Sequence, residues 1–220
     1  MTKEFTTYEH DEISGLETAY RRTLLNTISG VRPVHLVGSV SPQGLTNAAP
    51  FNSVVHVGAN PPFLGMIVRP DTVERHTLEN IRNTGIWTLS QLPIQYARQL
   101  HWASAKFPAN VSEFSAVGLR EGYREGFAAP FADAAPVRMG LRLAEEYPIA
   151  SNGTYFLVGK VEWVSVKNDL LQEDGRVAHG AGDIAAVAGL DAYYTTQLED
   201  RFAYARPEEE VQNLEQPPVA

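Results

Sequence analysis

The chain has 220 residues, enough for one decorated domain or two small ones. Apolar residues are 44% and charged residues 20%, so a buried core is within reach and wholesale disorder is excluded. Eighteen Lys and Arg against 26 Asp and Glu give a net charge of −8, which argues against general binding of nucleic acid or anionic lipid, and the absence of cysteine excludes disulfides, thiolate nucleophiles and Cys-ligated zinc or iron–sulfur sites.

Residues 1–15 read as a loose polar leader. Met1–Glu12 has no apolar signal-peptide core, and no run approaches the ~20 apolar residues of a membrane span, so the cytoplasm is the default compartment. Leu16–Ile28 has helical spacing, with Gly30 as its stop. Val34–Val40 and Leu45–Val57 predict a hairpin around Ser41-Pro42-Gln43-Gly44, its second strand made irregular by Pro50. Asn60-Pro61-Pro62 is a turn and Phe63–Val68 a third strand. Asp71–Asn83 predicts a helix stopped by Gly85; Ile86–Ser90 a strand; Ile94–Ala105 a helix ending before Pro108; Ser112–Gly118 a short polar turn. Residues 120–136, rich in Gly, Ala and Pro, read as an insertion or loop. Val137–Leu143, Thr154–Val166 and Arg176–His179 return to strand-like composition. Pro207–Ala220 is an acidic tail. No 20–50-residue repeat is visible. Strands do not alternate strictly with helices, so the expected class is mainly β: an antiparallel barrel with attached helices rather than a doubly wound sheet.

The sequence offers little for protein-only catalysis. His10, His35, His56, His76, His101 and His179 form no short metal-binding spacing. There is no G-x-S-x-G elbow, no G-x-x-x-x-G-K-[ST] loop, and no G-x-G-x-x-G between a strand and a helix. An anion site has better support. Thr46-Asn47-Ala48-Ala49-Pro50-Phe51-Asn52-Ser53 puts donors and small residues in a strand that Pro50 interrupts, and Arg69, Arg75, His76 and Thr77 follow near a helix start. The same Ser, Thr and Asn also serve bulges, turns and caps, so spacing alone leaves both readings open. His101, Ser104 and Lys106 stand at a helix end, where they satisfy the dipole or meet a ligand. Gly189–Tyr194 and Arg201–Pro207 gather aromatic rings that cover a planar ligand or dock the C-terminal segment.

In order along the chain, Asn47–Val55 with Asn60-Pro61-Pro62-Phe63-Leu64, Thr77-Leu78-Glu79-Asn80-Ile81-Arg82-Asn83-Thr84-Gly85, Ser104-Ala105-Lys106-Phe107-Pro108, Ser112-Glu113-Phe114 and Gly118-Leu119 resemble the motifs of the flavin reductase-like family. The likeness runs from about Arg32 to Pro207. It implies an FMN-binding split β-barrel, a six-stranded antiparallel Greek-key barrel with flanking helices, over residues 31–206, after a leader and helix at 1–30 and before a tail at 207–220. It implies an oxidoreductase, most simply an NAD(P)H:flavin reductase passing hydride through flavin N5, with NADH or NADPH as donor. The alternatives are an FMN-binding electron carrier or oxygenase partner without nicotinamide chemistry, and a barrel that has lost its flavin. It implies a homodimer with flavin near the interface. Asn47, Pro50, Phe51, Asn52 and Ser53, with Thr46, would line the flavin; Arg69 and Thr77 would hold its phosphate, with Arg75, His76 and Asn80 nearby; Ser104 and Lys106 would add contacts. His76 departs from the family, where Asp often precedes the threonine; a histidine can donate to phosphate. No metal is expected.

Overall fold

A computed structural model describes residues 4–73 and 75–214. The predicted hairpin is present. β2 (His35–Val40) pairs antiparallel with β3 (Thr46–Phe51), with Ser39 opposite Asn47. The Gly44 amide closes the turn onto the Ser41 carbonyl at 2.9 Å. The 45–57 segment forms two strands rather than one: after Asn52-Ser53 the chain continues as β4 (Val54–Ala59), which pairs with β5 (Pro62–Val68). With β6 (Ile86–Gln91), β9 (Val137–Ile149) and β10 (Thr154–Val166) these make one seven-stranded antiparallel sheet, ordered β3-β2-β6-β9-β10-β5-β4. Its edges do not pair with each other, so the barrel is split. The mainly β expectation holds.

β2 is buried at every position, which requires cover on both faces. Val37 faces a core built from Met66, Val68, Leu78, Ile81, Trp87, Leu89, Leu141 and Leu157. Leu36 faces a second cluster with Leu92, Leu100, Phe114 and Val187. Each such side chain contributes about 1.5–3 kcal/mol on burial, so these two clusters outweigh the surface ion pairs at about 0–1 kcal/mol each.

α3 (His76–Thr84) stands against the first core through Leu78 and Ile81. It ends where expected, at Gly85, whose left-handed φ of 72° suits a residue without a Cβ. It starts five residues later than predicted. Asp71 does not cap it; its carboxylate accepts from the Tyr155 hydroxyl at 3.0 Å and from Arg82 at 3.2 Å. Arg82 also grips Glu146 and lies 4.6 Å over the Tyr155 ring. This network ties Asp71 to α3 and to the barrel wall.

Residues 120–136 are a correction. They form a hairpin, β7 (Glu121–Arg124) and β8 (Phe127–Ala132), not a loop. The small residues are there for close approach: Ala129, Ala132 and Ala135 are buried, Thr88 Oγ1 donates to the Pro130 carbonyl, and the Ala132 amide donates to Ser90 at 3.0 Å. Arg176–His179 is a second correction. It makes one isolated bridge, Leu171 with Val177, whereas the strands of that region are β11 (Ala186–Ala188) and β12 (Ala192–Tyr194), joined to β1 (Arg32–Pro33). An Ala-Val-Ala strand carries little β-propensity, and its burial decides its state.

Smaller differences follow. The leader holds a short helix, α1 (His10–Gly15), and the predicted 16–28 helix is α2 (Thr18–Thr27). Ile94–Ala105 is a 3-10 turn running into α4 (Ala97–Trp102). The Ser112–Gly118 segment contains a helical turn, α5 (Glu113–Ala116), pinned by buried Phe114. β9 runs to Ile149, six residues beyond the prediction, as the partner of β10. The predicted tail turns back within its described part, where the Leu214 amide donates to Arg201; residues 215–220, like 1–3, lie outside the described residues.

Candidate functional site

The register of β2 and β3 sets Asn47 beside Ser39, on the side of the sheet that faces α3. Asn47 Nδ2 donates to Thr77 Oγ1 at 2.9 Å and meets Ser39 Oγ at 3.4 Å; Asn80 Nδ2 donates to the same Ser39 at 3.1 Å. All four residues are buried. Two sequence candidates 30 residues apart, Asn47 and Thr77, are thus in direct contact. Asn47 thus ties β3 to the first turn of α3 through Thr77, and Asn80 ties α3 to β2 through Ser39. Thr77 Oγ1 receives the Asn47 bond, which leaves its own hydroxyl proton to give.

Among the described residues no side chain caps the first turn of α3, and a helix start of this kind directs its backbone amides and the positive end of its dipole at an anion. Arg75 Nε donates to the Pro70 carbonyl at 3.2 Å. Arg69 is exposed and, among the described residues, carries no ion pair. Arg75, His76 and Thr77 stand at this helix start, and Arg69 follows directly on β5, ahead of it in the chain.

Thr46 Oγ1 bonds Ser112 Oγ at 2.7 Å and donates to Glu121 Oε1 at 2.6 Å, which joins β3 to the 121–132 hairpin. Pro50 and Phe51 end β3, half-buried, with Phe51 packed against the barrel core. Asn52 Nδ2 donates to the Gly189 carbonyl at 2.7 Å, and Ser53 Oγ to the Ile67 carbonyl at 2.8 Å. The Asn52 bond brings the Gly189–Tyr194 segment to the β3–β4 junction. Tyr193 then packs edge-on to His101 of α4, with ring centroids 6.1 Å apart. Burial, reinforced by Asp191, pushes the Tyr193 phenol up to about 12. A groove of about 600 Å³ runs between α4 and β12, lined by Arg98, His101, Trp102, Val117, Asp191 and Tyr193. A second cavity, of about 430 Å³ around Pro93, Lys167 and Asp183, contains none of the predicted site residues.

Ser104 and Lys106 are not drawn into the hydrogen bonding of the α3 cluster. Both are exposed, and Ser104 Oγ donates to the His101 carbonyl at 2.6 Å, closing its own helix end. Sequence reasoning missed Ser39, Glu121 and Glu113. Glu113 is 6% exposed, and its Oε2 accepts from the Ala48 amide at 3.0 Å. Its signal was the Ser112-Glu113-Phe114 run, which resembles a family motif but was read locally as a short polar turn.

The family model for the flavin reductase-like domain matches residues 29–186. The chain belongs to the flavin reductase-like family. Membership places it among flavin-related oxidoreductases. It is similar to a candidate flavin reductase with a split barrel domain from Shewanella frigidimarina, at 38% identity over 91% of this chain and all of that one, with a TM-score of 0.88. The fold also matches nitrilotriacetate monooxygenase component B from Bacillus cereus, at 23% identity, 90% and 98% coverage, and a TM-score of 0.79. It matches an FMN-binding protein from Thermus thermophilus at 18% identity, 92% and 100% coverage, and a TM-score of 0.70. Among the described residues no helix is long and apolar enough to cross a membrane.

Proposed function

We propose that the protein binds FMN and works as an NAD(P)H:flavin oxidoreductase in the cytoplasm. The observation that carries this reading is the contact between Asn47 of the 47–53 segment and Thr77 in the first turn of α3, where Arg75 and His76 also stand. The donor set suits a phosphate: guanidinium groups, a hydroxyl and helix amides, on a chain otherwise net negative. The strand segment suits a planar ring, because Pro50 offers no amide to a neighbour and Phe51 and Asn52 end the ladder there. When bound, FMN supplies the redox chemistry by accepting hydride at its N5 and passing electrons on. The chain's residues bind and orient: Arg69 and Thr77, with Arg75 and His76, hold the phosphate; Pro50, Phe51, Asn52 and Ser53 border the ring; Thr46, Asn47 and Asn80 fix the segment; Ser104 and Lys106 add contacts at the rim. NADH or NADPH is the donor.

A homodimer fits the exposed apolar surface. α2 has no buried residue, and Tyr20, Leu25, Ile28 and Val31 stand 47–72% exposed beside it. Thr27 of that helix lies near Gly189, the residue Asn52 holds, so a second copy covering α2 would approach the flavin site. The likeness to a monooxygenase component supports an oxygenase as the electron acceptor. It also supports a second reading, an FMN-bearing partner without its own nicotinamide oxidation.

The phosphate assignment is tested by titrating FMN into the wild type and Arg69→Ala. Loss of one charge-assisted contact is expected to weaken binding about 10- to 100-fold. Arg69 is exposed, so the variant should fold normally. Unchanged affinity would remove Arg69 from the site.

A further inference from the structure

Glu113 is the one carboxylate among the described residues that is classed as buried, and it sits between the two halves of the proposed site. Its Oε2 takes the amide proton of Ala48, the residue after Asn47. His76, the first residue of α3, is near enough to favour the charged carboxylate. The elements around it bring few other charges. β3 has no ionisable side chain, and the carboxylate of Glu121 in the hairpin accepts hydrogen bonds from the Thr46 and Ser112 hydroxyls. A surface glutamate would serve α5 as a helix-start charge at no cost in desolvation. A buried one bonded to a single backbone amide of the site segment needs another reason.

We propose that Glu113 is a positioning residue of the flavin site: it fixes Ala48 against the start of α3, and it takes up a proton when the FMN phosphate binds there. The inference rests on the FMN reading above. The proton balance is simple. A dianionic phosphate arriving at His76 disfavours a neighbouring carboxylate, which gains a proton from solvent and becomes a neutral acid. The Ala48 bond survives, because a protonated carboxyl keeps an acceptor oxygen. Burial already pushes the Glu113 carboxyl above the ordinary carboxylate range, against the pull of the Ala48 amide, so the proton gain is a short step. By reciprocity, if FMN promotes protonation of Glu113, protonation of Glu113 promotes FMN binding. Affinity for FMN therefore falls as pH rises through the titration of Glu113.

The test compares FMN affinity from pH 5 to 8 in the wild type, Glu113→Gln and Glu113→Ala, each checked for fold by circular dichroism. Titration of the FMN phosphate itself is common to all three and cancels in the comparison. Glu113→Gln retains an acceptor for Ala48 without a titrating proton. It should bind FMN near wild-type strength at pH 5, and roughly 10-fold more tightly than the wild type at pH 8. Glu113→Ala should lose about 10-fold or more at every pH, because it orphans a buried amide. If Glu113→Ala does not fold, the Gln variant carries the test alone. Parallel pH profiles for wild type and Glu113→Gln, with FMN bound by both, would overturn the role of Glu113 and leave the flavin reading standing. No FMN binding by the wild type at any pH would overturn both.

Discussion

Gly38→Val is expected to cost about 3 kcal/mol of stability, which for a chain of this size lowers the thermal midpoint by roughly 10 °C. Gly38 lies mid-strand in β2, and the 121–132 hairpin crosses directly over it. A Cβ placed there would sit 2.0 Å from the Pro130 carbonyl oxygen and 2.6 Å from Thr88 Oγ1, the two atoms that hydrogen-bond to each other. The obstacle is backbone, so no rotamer relieves it. The hairpin must lift, exposing Ala129 and Ala132 and breaking the Ala132–Ser90 bond. It also carries Glu121, which holds Thr46 and Ser112, so FMN affinity should fall with stability. Gly15→Ala is the control: nothing lies within 4 Å of the added atom, and the midpoint should move by no more than about 2 °C. Equal midpoints for Gly38→Val and wild type in a thermal melt would mean the hairpin does not pack there.

Acid should destabilise the fold well before the carboxylates titrate, and His35 is the cause. Its Nε2 meets Gln91 Nε2 at 2.9 Å, and its Nδ1 meets no hydrogen-bonding partner among the described residues. Burial, with the nearby His179 adding to it, pushes the imidazole down to about 4 from 6.5. The neutral ring is the folded form. Above pH 6.5 folded and unfolded chains both leave it neutral, and stability is at its full value. Between 6.5 and about 4 only the unfolded chain takes the proton, so stability falls with pH; below about 4 both are charged and the loss is complete. A gap of this size corresponds to about 3 kcal/mol. Urea unfolding of wild type and His35→Gln at pH 7 and pH 4.5 measures it. The wild type should lose about 2–3 kcal/mol more than the variant over that interval. Equal losses would mean that His35 is not buried neutral.

The sequence carried the fold where one pattern dominated. His35–Val40 and Thr154–Val166 are strands with clear boundaries because apolar and β-branched residues recur there, and Gly85 stops α3 because the chain must turn left-handed. It failed where composition imitates something else. Residues 120–136 have the Gly, Ala and Pro of a loop, yet those residues are small so that a hairpin can lie flat on β2 and β6. Ala186–Ala188 is a strand by burial, with only Val187 to favour one in the sequence. The predicted 71–83 helix begins late at His76, and the Asp71 carboxylate is instead held by Tyr155 and Arg82, both distant in sequence.

The site was legible as two segments, Asn47–Ser53 and Arg69–Thr77, because both have donors where a strand or helix face would place apolar groups. Their contact through Asn47 and Thr77 was not legible, since spacing says nothing of tertiary neighbours. Glu113 was hidden for a different reason. Glutamate is an exposed residue by default, and only the fold reveals that this one is enclosed against the Ala48 amide.

The central claim is that the chain holds FMN and reduces it with a nicotinamide. It is tested most directly by adding FMN to the purified protein, removing unbound flavin, and following the flavin absorbance under anaerobic NADH and then NADPH. The account predicts retained flavin bands that bleach within seconds with at least one donor, and slower bleaching per protein in Arg69→Ala. Flavin that stays bound and oxidised in the presence of both nucleotides would contradict the reductase and leave an FMN carrier. A colourless protein that never retains FMN would contradict the flavin site itself.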